Sequence, residues 1–144
     1  MSKLRAKLIG AWRLRASEWF DASGRVESPL GPEPVGLLMY GDSGVVSVQL
    51  MRPNQSKFSD DDWRLASDEE KASAWLGYFC YFGTFTVDEV SSTVTHYVKG
   101  SWFPNLVGTE QLRAFVFDGN ALSLTAQSAL GRVTLVWERF TGSL

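Results

Sequence analysis

The sequence predicts an all-β protein: an eight-stranded antiparallel up-and-down β-barrel with one helix inserted between the third and fourth strands. Three observations carry that expectation. Eight runs alternate apolar and polar residues with the period of two that a half-buried strand requires. Short turn signals such as Asp42-Ser43-Gly44 and Asp118-Gly119-Asn120 join neighbouring runs, which suits antiparallel pairing. Eight antiparallel strands also suffice to close a small barrel, either filled by side chains or holding one small ligand.

Residues 2–9 are a short lead-in of one helical turn. The first strand spans 10–21 and sets Trp12, Leu14, Ala16, Glu18 and Phe20 on one face, Arg13, Arg15 and Ser17 on the other. Ala22-Ser23-Gly24-Arg25 turns the chain. Three of the five prolines fall in 28–34, where fixed φ angles and missing donors dictate a rigid loop, long enough to lie over a barrel mouth. The second strand covers 35–41 and the third 45–52, stopped by Pro53. Residues 53–66 are polar and turn-rich. Ser67-Asp68-Glu69-Glu70 then reads as a capping box, and Ala72, Trp75, Leu76, Phe79 and Cys80 follow at helical spacing. These predict an amphipathic helix over 68–80 whose apolar stripe covers an end of the barrel. The aromatic run Trp75, Tyr78, Phe79, Tyr81 and Phe82 is read as its packing surface, with the alternative that part of it lines the pocket mouth. The remaining strands are 83–88, 93–101, 108–118, 121–126 and 132–140. Trp102 and Phe103 fall in a loop, where large rings suit a lid or a subunit contact.

The 144 residues show no repeat, low-complexity tract or linker, so residues 1–144 read as a single domain with one core. A net charge of -2 with no basic excess argues against phosphate-driven nucleic-acid binding. Cys80 and His96 are the sole cysteine and histidine, which leaves no intrachain disulfide and no Cys- or His-rich metal site; Asp60-Asp61-Asp62 lacks an EF-hand pattern. No metal and no cofactor is expected. Neither a signal peptide nor an apolar membrane span is evident, which points to a cytoplasmic protein with no membrane partner. The oligomeric state is left open, a homo-oligomer included.

Gly10-Ala11-Trp12 resembles the Gly-x-Trp signature of the lipocalin fold. More specifically, the chain is similar to the bacterial and fungal lipocalin-like domain family. The stretches that carry the similarity are Pro29–Tyr40, Ser47–Pro53, Gly83-Thr84-Phe85, Val94-Thr95-His96, Phe103–Gln111 and Leu135–Arg139, nearly the whole domain. The resemblance implies a cavity. It also implies that Trp12 packs at the closed end of the barrel beneath Arg139, an arrangement favoured by cation–π attraction. The wider set of lipocalin-like barrels holds ligand carriers as well as isomerases and cyclases, so fold alone does not supply a reaction.

Alternation supplies the inward faces. Val94, His96 and Val98 share one face of the fifth strand; Gln111, Arg113, Phe115 and Phe117 share one face of the sixth; Val133, Leu135, Trp137 and Arg139 share one face of the eighth. A mostly apolar interior would then hold His96, Gln111, Arg113 and Arg139, with Glu18 and Tyr40 as further candidates and Glu18 as an acceptor for a buried Arg. An apolar wall with few polar groups is how a small-molecule pocket is built. The ligand-binding candidates are Tyr40, His96, Gln111, Arg113, Phe115 and Trp137, and the expected partner is a small hydrophobic metabolite with a polar end. The alternative is a cofactor-independent isomerase or cyclase in the same cavity, with His96 moving a proton and Arg113 stabilising negative charge. A barrel filled by its own side chains is the third reading.

Overall fold

A computed structural model describes residues 2–142. Nine strands make one antiparallel sheet: β1 (Gly10–Asp21), β2 (Gly24–Val26), β3 (Val35–Tyr40), β4 (Val45–Met51), β5 (Tyr78–Asp88), β6 (Thr93–Ser101), β7 (Glu110–Asp118), β8 (Ala121–Ser128) and β9 (Gly131–Arg139). Every neighbour in the sequence β3 to β9 is a neighbour in space, and β1 pairs with both β3 and β9. That double pairing closes an eight-stranded up-and-down barrel and leaves it without edges. The short β2 is an extra strand that folds back on the end of β1, with Trp19 opposite Val26.

Two helices sit at opposite ends. Helix α1 (Lys3–Leu8) is capped by Ser2, whose hydroxyl accepts from the Arg5 amide. It closes the end where β1 begins. Leu8 is fully buried, and its carbonyl accepts from Trp12 Nε1 at 2.9 Å. The Arg139 guanidinium lies 4.2 Å from the centre of the Trp12 ring and donates to the carbonyls of Ile9 and Lys7. Gly10 is required here: its φ is +130°, and a Cβ would stand 2.9 Å from Arg139 Nη1. The glycine, the tryptophan and the arginine are therefore one device that seals the barrel. Half-buried Arg139 finds its acceptors in backbone carbonyls, not in Glu18.

Helix α2 (Asp68–Leu76) lies between β4 and β5, the third and fourth barrel strands, and carries the expected capping box of Ser67 and Glu70. It is shorter than its apolar spacing predicts. Gly77 ends it, and Tyr78 to Phe82 belong to β5. Phe79, Cys80, Tyr81 and Phe82 are thus strand residues and not a helical packing surface. No side chain of α2 is buried; Trp75 rests on the loop residues Trp102 and Phe103, so the helix braces that loop rather than plugging the barrel.

The first strand holds the second departure. A β-bulge falls between Leu14 and Ala16 in its pairing with β9. An extra residue reverses which side chains face inward beyond it. Trp12 and Leu14 point into the core before the bulge, whereas Ala16 and Glu18 are exposed after it. The inward places pass to Ser17 and Trp19. Glu18, expected inside, faces out, and Phe20 lies outside under the Arg132 guanidinium.

Candidate functional site

The barrel is filled at one end and hollow at the other. Leu8, Trp12, Tyr40, Val46, Phe85, Val94, Phe115 and Leu122 pack the end sealed by α1. The opposite half contains a cavity of about 270 Å³. Its apolar wall comes from Leu38, Val48 and Leu50 on β3 and β4, Phe79 on β5, Leu124 and Ala126 on β8, and Val133, Leu135 and Trp137 on β9. Trp19 enters from β1 because of the bulge. Trp102 and Leu106 complete the mouth from the β6–β7 loop, and the Trp102 ring stacks on Phe79 with centroids 4.8 Å apart. The proline-rich loop also runs at this end and buries Leu30 in the core, so it is anchored to the barrel. Arg52 Nη2 adds a hydrogen bond to the Pro29 carbonyl.

The polar part of the wall is small: Tyr81, His96, Gln111 and Arg113. His96 is only 1% exposed, and it is the sole polar or charged side chain among the described residues that is buried so deeply. Its Nε2 lies 2.7 Å from the Tyr40 hydroxyl and its Nδ1 lies 2.5 Å from the Tyr81 hydroxyl. Both ring nitrogens therefore have partners, as a buried imidazole needs. Burial, helped by the nearby Arg113 charge, lowers the His96 pKa to about 3, so the ring is neutral at ordinary pH. Burial likewise raises both tyrosine pKa values, and both hydroxyls stay protonated.

Arg113 projects from β7 into this wall. It donates to the Leu112 carbonyl and, at 3.5 Å, to Gln111 Oε1. Gln111 in turn donates to Thr109 Oγ1. No carboxylate lines the cavity, and Arg113 forms no ion pair among the described residues. The rings of Trp19, Trp102 and Trp137 border the same space, while their indole N–H groups are buried and have no hydrogen-bond partner among the described residues.

Of the residues singled out from sequence, His96, Gln111, Arg113 and Trp137 meet at the cavity. Tyr40 and Phe115 do not reach it. Tyr40 stands behind His96, and Phe115 packs in the filled half against Phe117. Tyr81, Trp19, Phe79 and Trp102 border the cavity or its mouth without having been placed there by alternation alone. A signal for Tyr81 and Phe79 was present: Gly77 directly after Leu76 is a helix stop, and the aromatic run beyond it has strand character.

Fold and cavity together define a β-barrel with an internal pocket, closed at one end and walled by apolar side chains around one cation. The chain belongs to the lipocalin-like domain family, which matches residues 9–140. It is 36% identical over 86 residues to the 4'-hydroxy-3'-methoxypropiophenone carrier protein of Aspergillus oryzae, a match covering 56% of this chain and 78% of that protein. Among solved structures, a redesigned β-barrel superposes with a TM-score of 0.51 at 12% identity, covering 98% of both chains. Fatty-acid-binding protein 1 of Echinococcus granulosus gives a TM-score of 0.47 at 13% identity, covering 94% of this chain and 99% of that one.

Proposed function

We propose that this protein binds and carries a small, largely apolar metabolite whose polar end is an anion or a strong hydrogen-bond acceptor. The observation that carries this reading is Arg113: one cation in an apolar wall with no countercharge. A charge in such surroundings is costly unless something pairs with it, and a ligand oxygen is the natural partner. The volume of about 270 Å³ falls just below the usual range for small-molecule pockets, roughly 300–1,000 Å³, and favours a ring-sized ligand. A relative named for carrying an oxygenated aromatic ketone agrees with that size and chemistry.

Carriage is favoured over isomerase or cyclase chemistry by the state of His96. A general base needs a free ring nitrogen near a substrate proton, whereas both nitrogens of His96 already hold tyrosine hydroxyls and its pKa is about 3. The test is titration with trans-cinnamate and with neutral cinnamyl alcohol, followed by tryptophan fluorescence, since Trp19, Trp102 and Trp137 border the site. Cinnamate should bind the more tightly, and Arg113→Met should remove that preference by tenfold or more. Equal binding of the two compounds, with no effect of the substitution, would refute the assignment of the polar end.

A further inference from the structure

The hydroxyls on either side of His96 have different surroundings, and that difference fixes the direction of the hydrogen bonds. Tyr40 is 2% exposed, and its hydroxyl has no partner but His96 Nε2 among the described residues. Tyr81 borders the cavity, and Arg113 stands beside its hydroxyl. A neutral imidazole donates through one nitrogen and accepts at the other. If Nε2 carried the proton, it would donate to Tyr40 oxygen, and the Tyr40 hydroxyl proton would be left in the core with no acceptor. If Nδ1 carries it, Tyr40 donates to Nε2, Nδ1–H donates to Tyr81 oxygen, and every buried group of the set is satisfied. Tyr81 then keeps its own hydroxyl proton for the cavity, while its oxygen accepts from His96.

We propose that Tyr81 is the directional donor to the bound molecule, its proton turned into the cavity because Tyr40 holds His96 in the Nδ1–H form, and that Tyr81 and Arg113 together make a subsite for an oxyanion. This rests on the carrier reading above and sharpens it. The other polar groups of the wall offer no competing acceptor. Gln111 Oε1 faces Arg113 Nη2, and both imidazole nitrogens are engaged. The subsite is donors only, so it selects carboxylates, phenolates or enolates and rejects amines and ammonium groups. His96 and Tyr40 are positioning residues: neither needs to touch the ligand to set the polarity of Tyr81.

His96 is the sole histidine, so its nitrogens can be read directly in ¹⁵N-labelled protein by long-range proton–nitrogen correlation. The expected result is a single neutral ring with the proton on Nδ1. A ring protonated on Nε2 would overturn the proposal. Tyr40→Phe removes the donor to Nε2 and should bring the second tautomer into the spectrum; an unchanged spectrum would also overturn it. For the ligand side, Tyr81→Phe should weaken cinnamate and 4-nitrophenolate about tenfold or more and leave cinnamyl alcohol within about twofold. Cinnamate separates a carboxylate site from the phenolate site that 4-nitrophenolate probes, and the visible absorption of 4-nitrophenolate shows whether that probe is held ionised. Equal losses for the anions and the alcohol would assign Tyr81 a merely structural role and overturn the proposal. Failure of all three probes to bind the wild-type protein would overturn the carrier reading and with it the ligand-facing part, whereas the nitrogen spectrum would still decide the tautomer.

Discussion

Acid should destabilise this barrel through one side chain before its carboxylates begin to titrate. In the folded state His96 resists protonation until about pH 3, first because it is buried and second because Arg113 is near. In the unfolded chain an ordinary histidine takes up its proton near pH 6.5. Between those values the unfolded chain binds a proton that the folded protein does not, so stability is full above pH 6.5 and falls as pH falls towards 3. The slope is about 1.4 kcal/mol per pH unit once pH is well below 6.5, which amounts to about 2 kcal/mol between pH 7 and pH 5. Because the chain has one histidine, no other histidine contributes in that interval. The assay is urea denaturation at pH 7, 6 and 5 on wild-type protein and His96→Gln, which keeps a polar side chain but cannot titrate. The variant should be less stable at pH 7 and should lack this extra loss on going to pH 5. Parallel pH profiles for the two proteins would refute the argument, and would mean that the folded imidazole protonates near its ordinary value.

Arg139→Ala removes the cation over Trp12 and two hydrogen bonds to carbonyls, and should cost about 2–3 kcal/mol in denaturant titration. Leu30→Ala should cost about 2–4 kcal/mol, since Leu30 ties the proline-rich loop into the core; a loss under 1 kcal/mol would show that the loop is not anchored there. Glu18→Ala should change stability by no more than about 0.5 kcal/mol and leave cinnamate binding unaltered, whereas Trp19→Ala should weaken binding severalfold. Reversed effects at 18 and 19 would contradict the bulge.

Much of this architecture was legible because strand alternation is local. The inward faces of β6, β7 and β9 follow from Val94-His96-Val98, Gln111-Arg113-Phe115 and Val133-Leu135-Trp137, because no extra residue falls within those stretches themselves. Two features escaped for physical reasons. The run from Trp75 to Phe82 satisfies helical spacing and strand propensity together, and only pairing with β4, which places Tyr81 opposite Val48, decides between them. The bulge in β1 depends on its fit to β9, a partner more than a hundred residues away in sequence, and nothing between Arg13 and Ser17 announces it. The Tyr40–His96–Tyr81 set was hidden for the same reason. Its members lie on β3, β6 and β5, so they meet only once strands separate in sequence have assembled. His96 could be placed inside from its own strand; its partners could not.

The bulge also gives β1 two independent phases, and the strand's tolerance of change must follow them. Before it, the inward positions serve the seal at the closed end; after it, they serve the cavity. A substitution at one position disturbs one of these tasks. Straightening the bulge with its extra residue kept would instead run plain alternation through the strand, present the Glu18 carboxylate to the ligand and turn the Trp19 ring out to water. Where this strand absorbs its one extra residue is therefore as much a determinant of what the pocket can hold as the identity of any side chain in its wall.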